Sequence, residues 1–152
     1  MENLNINLSE ARKKRYTIDG DENRILEFDA TDLGLLVRIE EVEPAILDAV
    51  NKFGEAQADA DYENNETIKE MAKRLKELDL FIRERLDYLF DTNFSEVCAP
   101  HGTMLDPVNG EMRFTYLLDT FANVYGEELS KALKKRNDTM KKYTKKYVKN
   151  AK

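Results

Sequence analysis

Residues 66–90 read ETIKEMAKRLKELDLFIRERLDYLF, and this stretch decides the fold. Ile68, Met71, Leu75, Leu78, Ile82, Leu86 and Leu89 step by three and four with charges between them. That spacing lines one face of an α-helix and wets the other. The pattern predicts a helix from Glu66 to Phe90, about 37 Å long at 1.5 Å per residue. Leu80, Phe81 and Phe90 widen the stripe, so this helix must pack on more than one neighbour.

Upstream, residues 55–65 are acidic and short of large apolar side chains, which predicts a loop. Before it, Asp29 or Thr31 is placed to cap a helix carrying Leu33, Leu36 and Val37. Pro44 interrupts that pattern, because a proline inside a helix removes a hydrogen bond and crowds the preceding turn. The reading is therefore two helices or one kinked helix. Ala45 to Phe53 form the second piece, with Ile46, Leu47, Val50 and Phe53 on its apolar face and Gly54 as its stop. Further back, Tyr16-Thr17-Ile18 and Ile25-Leu26-Glu27-Phe28 flank the polar turn Asp19 to Asn23, which predicts a β-hairpin. Residues 1–14 read as a flexible lead ending in basic residues.

Downstream, residues 91–97 suit one short helical turn, and Ala99-Pro100-His101-Gly102 and Asp106-Pro107-Val108-Asn109-Gly110 are both turn-forming. A final helix begins near Glu111, with Phe114, Leu117, Leu118, Phe121, Tyr125, Leu129 and Leu133 on its core face. Past Arg136 only Met140, Tyr143, Tyr147 and Val148 continue that stripe. The chain thus divides into the lead, a helical core over 15–133 and a basic helical extension over 134–152. The expected fold class is mostly α: a small helical domain with an N-terminal β-hairpin and long amphipathic helices.

Composition agrees. Of 152 residues 36% are charged, above the usual quarter, and six Gly with three Pro are too few for a turn-rich sandwich or barrel. No apolar run approaches the 18 or so residues of a membrane span, and Met1 to Leu8 does not read as a signal peptide. The cytoplasm is the default location, and Cys98, alone, forms no internal disulfide. The net charge of −6 is unevenly spread: residues 131–152 hold ten Lys or Arg against Asp138, a net of +9, which leaves −15 for residues 1–130. A basic tail on an acidic body suits an acidic partner, a second copy or nucleic acid.

Chemistry-bearing patterns are sparse. Cys98 and His101 are three apart, but a structural zinc needs four ligands and the chain has no other Cys or His. As nucleophile and base they lack an orienting partner, and a half-buried cysteine beside a loop histidine is the preferred reading. Asp59 to Asn65 with Glu70 imitate a calcium loop, but Asn64 takes the glycine position and Glu66 the apolar one. An acidic loop before a helix, with Glu66 serving the helix dipole, explains the same residues. No phosphate-binding loop or nucleophile elbow occurs, so neither catalysis nor a cofactor is expected. Met140, Tyr143 and Tyr147, rimmed by Lys141, Lys142, Lys145 and Lys146, are the candidate partner-binding residues. Aromatic residues at helical spacing more often mark a protein contact than base stacking.

The segment YLFDTNFSEVC (residues 88–98), with Pro100-His101-Gly102, Asp106 to Gly110, the Tyr16 to Gly20 hairpin and the Lys/Tyr-rich end, resembles small proteins from phages of Gram-positive bacteria. These are tail assembly chaperones or tail-module accessory proteins, and the resemblance covers roughly residues 15 to 148. It implies a mostly helical fold, self-association, and binding to the tape measure protein in the host cytoplasm before tail tube polymerisation. A tape measure is a long helical chain whose bare apolar stripes invite aggregation. The alternative expectation is a phage-encoded inhibitor or regulator whose basic helix engages a host protein or nucleic acid.

Overall fold

The computed structural model describes Asn3 and residues 13–150, with backbone alone at 143 and 145–150. Element order is β1 (Lys13–Ile18), β2 (Asp21–Asp29), α1 (Gly34–Ala58), α2 (Asn65–Phe90), α3 (Phe94–Cys98), β3 (Pro107–Val108), β4 (Glu111–Met112) and α4 (Arg113–Asn150). The mostly helical class with an N-terminal hairpin is what the sequence predicts.

β1 and β2 pair antiparallel around a turn tighter than expected. Asp19 and Gly20 alone make it, with φ of 55° and 67°. Two successive left-handed residues define the turn that matches strand twist, and Asp and Gly tolerate that conformation best. The register then breaks: Ile18 faces Asp21 while Thr17 faces Ile25, so residues 22–24 bulge from β2. Lys13 and Lys14, assigned to the lead by the sequence, begin β1, while most of that lead falls outside the described residues.

α1 is one continuous helix. Pro44 and the expected stop Gly54 both lie inside it, and it ends only at Ala58. Pro44 is exposed, so the carbonyl it deprives of a partner can be met by water. Ile46 is buried and Val50 and Phe53 pack on the core, which holds the helix together past two weak positions. The cap also differs. Asp29 closes on Thr31 through its backbone N–H and its hydroxyl, and the N–H of Gly34 is accepted by Asp32.

α2 matches its predicted span to one residue, and Asn64 caps it by accepting from the N–H of Glu66. A six-residue connection, 59–64, turns α2 back against α1. α2 buries Leu78, Ile82, Leu86 and Leu89, and ends at Asp91 with φ 52°. Ile68, predicted on its core face, is exposed instead, while Met71 one turn on is buried.

Five rings bind the layers together. Phe28 of β2 contacts Tyr16, Phe90 and Phe121, with centroids 5.4, 5.6 and 5.7 Å away. Phe90 stacks on Phe94 of α3 at 4.3 Å, and Phe94 meets Phe121 of α4 at 5.2 Å edge-on. Each fully buried ring contributes roughly 1.5–3 kcal/mol by area, with more from edge-to-face pairing. This cluster seats α4 across the hairpin and the end of α2.

Candidate functional site

Three places could carry function: the loop around Cys98 and His101, a groove between α1 and α4, and the end of α4.

The first is a braced loop. Arg24, carried outward by the β2 bulge, donates to the carbonyls of Val97 and Cys98. Arg83 donates to those of Ser95, Ala99 and Gly102 while pairing with Asp79 at 2.9 Å. Arg113 donates to the carbonyl of His101 at 2.6 Å, and Asp79 in turn accepts from the N–H of Met104. Asp87 accepts from both the N–H and the hydroxyl of Ser95. Three guanidinium forks thus satisfy carbonyls that a helix or sheet would otherwise satisfy. Cys98 and His101 line a cavity of about 560 Å³ beside this brace. Burial, the largest influence, pushes the Cys98 thiol up to about 12, against the opposing pull of Arg24. It is therefore almost wholly protonated at neutral pH, whereas a nucleophilic cysteine needs thiolate. The side chain of His101 is exposed.

The acidic stretch resembling a calcium loop is organised as a turn and a cap. Asp61 accepts from the N–H of Glu63, Asn64 sits at φ −94° rather than in the left-handed region, and Glu70 pairs with Arg74. Among the described residues, no three His, Cys, Asp or Glu side chains gather where one ion would reach them all. No described helix is long and apolar enough to cross a membrane.

The second place is a groove of about 410 Å³ lined by α1, α4 and the end of α2. Ile46, Leu89, Phe90 and Phe121 form its floor. Leu36 and Leu47 of α1 flank it at 48% and 46% exposed, although the helical pattern puts Leu47 on an apolar face. Val37, one residue along, is 62% exposed. The charged residues lining the groove are Glu43 and Asp119, both exposed acids. Tyr125 closes one side and donates its hydroxyl to the carbonyl of Asp32 at 2.6 Å.

The third place is the end of α4. The helix runs 38 residues, about 57 Å. Its buried face ends at Leu129, with Leu133 still half-covered, and from Lys134 to Lys142 every side chain is exposed. Met140 is 57% exposed, with Lys141 and Lys142 beside it. The structure thus places Met140, Lys141 and Lys142 together on one exposed helix. The side chains of Tyr143, Lys145, Lys146 and Tyr147 lie outside the described residues, although their backbone belongs to α4.

No family model, curated protein or solved structure matches the chain.

Two features escaped the sequence reading. Asp79, Arg83 and Asp87 recur every fourth residue on α2 and read as part of its solvated face, yet they organise α3 and the loop after it. Their regular spacing beside the apolar stripe was the available signal. The groove left none, since exposed and buried leucines look alike in a periodic pattern.

Proposed function

We propose that this protein works by stoichiometric, non-enzymatic binding of another protein's helix, as a tail assembly chaperone that keeps a phage tape measure protein soluble in the host cytoplasm. The observation that carries this reading is the continuation of α4 past its own core. Helix without internal packing is marginal in water unless a partner covers its apolar stripe. That stripe, Met140 with Tyr143 and Tyr147, is flanked by Lys141, Lys142, Lys145 and Lys146, the arrangement by which one amphipathic helix takes another that carries acids at its edges. A protonated, half-buried Cys98 and a loop spent on bracing agree with a binding role rather than a catalytic one.

Co-purification with tape measure fragments from the same genome tests the reading, followed by size-exclusion chromatography with light scattering. A defined complex that survives moderate salt is expected. Replacing Tyr143 and Tyr147 with Ser should weaken the complex while leaving the helical circular dichroism signal intact. If the chain ignores the tape measure but shifts on adding nucleic acid, the alternative of a regulator acting through its basic helix replaces the chaperone.

A further inference from the structure

The groove between α1 and α4 and the extension of α4 are complementary in chemistry. We propose that the groove of one copy receives the basic end of α4 from a second copy, giving a reciprocal two-fold dimer through antiparallel α4 helices. The dimer uses the same stripe that the reading above assigns to the client, so it is the client-free state, and a client helix must displace the second copy.

Charge supplies the first argument. Within α4, residues 113–130 carry Arg113 against Asp119, Glu127 and Glu128, a net of −2. Residues 131–150 carry nine Lys or Arg against Asp138, a net of +8. An antiparallel pair sets each acidic half beside a basic one, and Glu43 and Asp119 at the groove add to the attraction. A parallel pair would instead set the two +8 segments side by side.

The second argument excludes the chain's own tail. α4 is unbroken from Arg113 to Asn150, so Met140 lies 21 residues beyond Asp119, about 32 Å further along the same axis. A continuous helix cannot return to a groove lined by its own first turns. The occupant with this sequence must come from another molecule.

Register is the third. Seating residues 140–147 over residues 115–122 places the two-fold axis at Lys131. Each of Met140, Tyr143 and Tyr147 then lies opposite Ala122, Asp119 and Thr115 respectively, long side chains against short ones. Ala122 is exposed and Thr115 half-buried, and both line the groove. Glu127 falls opposite Lys135 and Glu128 opposite Lys134, while Lys142 lies one residue from the partner position of Asp119. The two lysines at the axis are flanked by Glu127 and Glu128 of both copies. Because the arrangement is isologous it closes at two subunits and leaves no free groove for polymerisation.

Sedimentation equilibrium of the full chain over a wide concentration range tests this. The expected species is a dimer that weakens as salt rises. Two full-chain variants, Glu43→Lys with Asp119→Lys and separately Met140→Asp, change only exposed side chains and should keep the native circular dichroism spectrum. Each should raise the dimer dissociation constant roughly tenfold or more. Adding Lys142→Glu and Lys146→Glu to the groove variant should recover most of that loss, as a swapped charge pair does. A chain that stays monomeric, a dimer indifferent to both variants, or a swap that recovers nothing would overturn the proposal.

Discussion

The two halves of α4 share one helix and one periodicity but meet opposite environments. In the first half Phe114, Phe121, Tyr125 and Leu129 are buried, and Leu117 and Leu118 pack beside them. In the second, only Met140, Tyr143, Tyr147 and Val148 continue the stripe after Leu133, and Met140 is mostly in solvent. Stripe width separates the halves. Apolar residues at both three- and four-residue steps form a band broad enough to cover a layer, whereas a single narrow line leaves most of each turn wet. Charge follows the same division, because a lysine-dense turn costs little where nothing dry covers it. The first half is therefore structural and the second is free to make contacts elsewhere.

The sharpest way to break this contrast is at Phe121, which touches Tyr16, Phe28, Phe90 and Phe94. Phe121→Ala should cost about 3–5 kcal/mol, the transfer term plus the cavity left among four rings. Urea titration would show it as a lower midpoint. If stability barely moves, α4 does not rest on the aromatic cluster.

Tyr125→Phe tests the groove side of the same half. The ring stays, but the carbonyl of Asp32 loses the hydroxyl that reaches it at 2.6 Å. A loss of about 1 kcal/mol is expected, near the usual net worth of one hydrogen bond. In the second half Met140→Ser should change stability by under about 0.5 kcal/mol, as at other exposed positions. Its effect belongs in the association measurements. A large loss of monomer stability at Met140 would move it into the core and erase the distinction between the halves.

How much of this was legible in the sequence follows from what each signal measures. Apolar periodicity found α2 to within one residue and the start of α4 within two, because those helices bury long, regular faces. It found the hairpin as well, through Asp19-Gly20. It left α1 open between two helices and one kinked helix, and it stopped the helix at Gly54, a local signal overruled by packing on α2. It also misassigned Leu47 and Ile68, since a pattern states that a face is apolar without stating whether a neighbour covers it. The arginine brace was invisible for a related reason: Arg24, Arg83 and Arg113 act on carbonyls 12 to 74 residues away, and no local spacing encodes such partners. Four of the seven candidate binding residues have side chains outside the described set, so for them the sequence pattern remains the argument.

The smallest effect expected lies where the halves join. Lys14 of β1 donates to Glu128 at 2.6 Å, tying the hairpin to the last acid before the basic run. That hydrogen bond, the largest influence on both groups, holds the Glu128 carboxyl below its ordinary 4.5 and the Lys14 ammonium above its ordinary 10.5. A carboxyl lowered on folding stabilises the native state above the unfolded value, and that contribution is lost as pH falls through the folded value. A raised lysine stabilises below 10.5, and its contribution is lost as pH rises through its folded value. Wild type should therefore exceed Glu128→Gln in melting temperature by a small, constant margin between those limits. The margin should close on the acid side only below 4.5. Both partners face water, so added salt should shrink it too. A margin that persists at the acid limit and in high salt would mean that Glu128 acts through packing, and the junction would then belong wholly to the buried half.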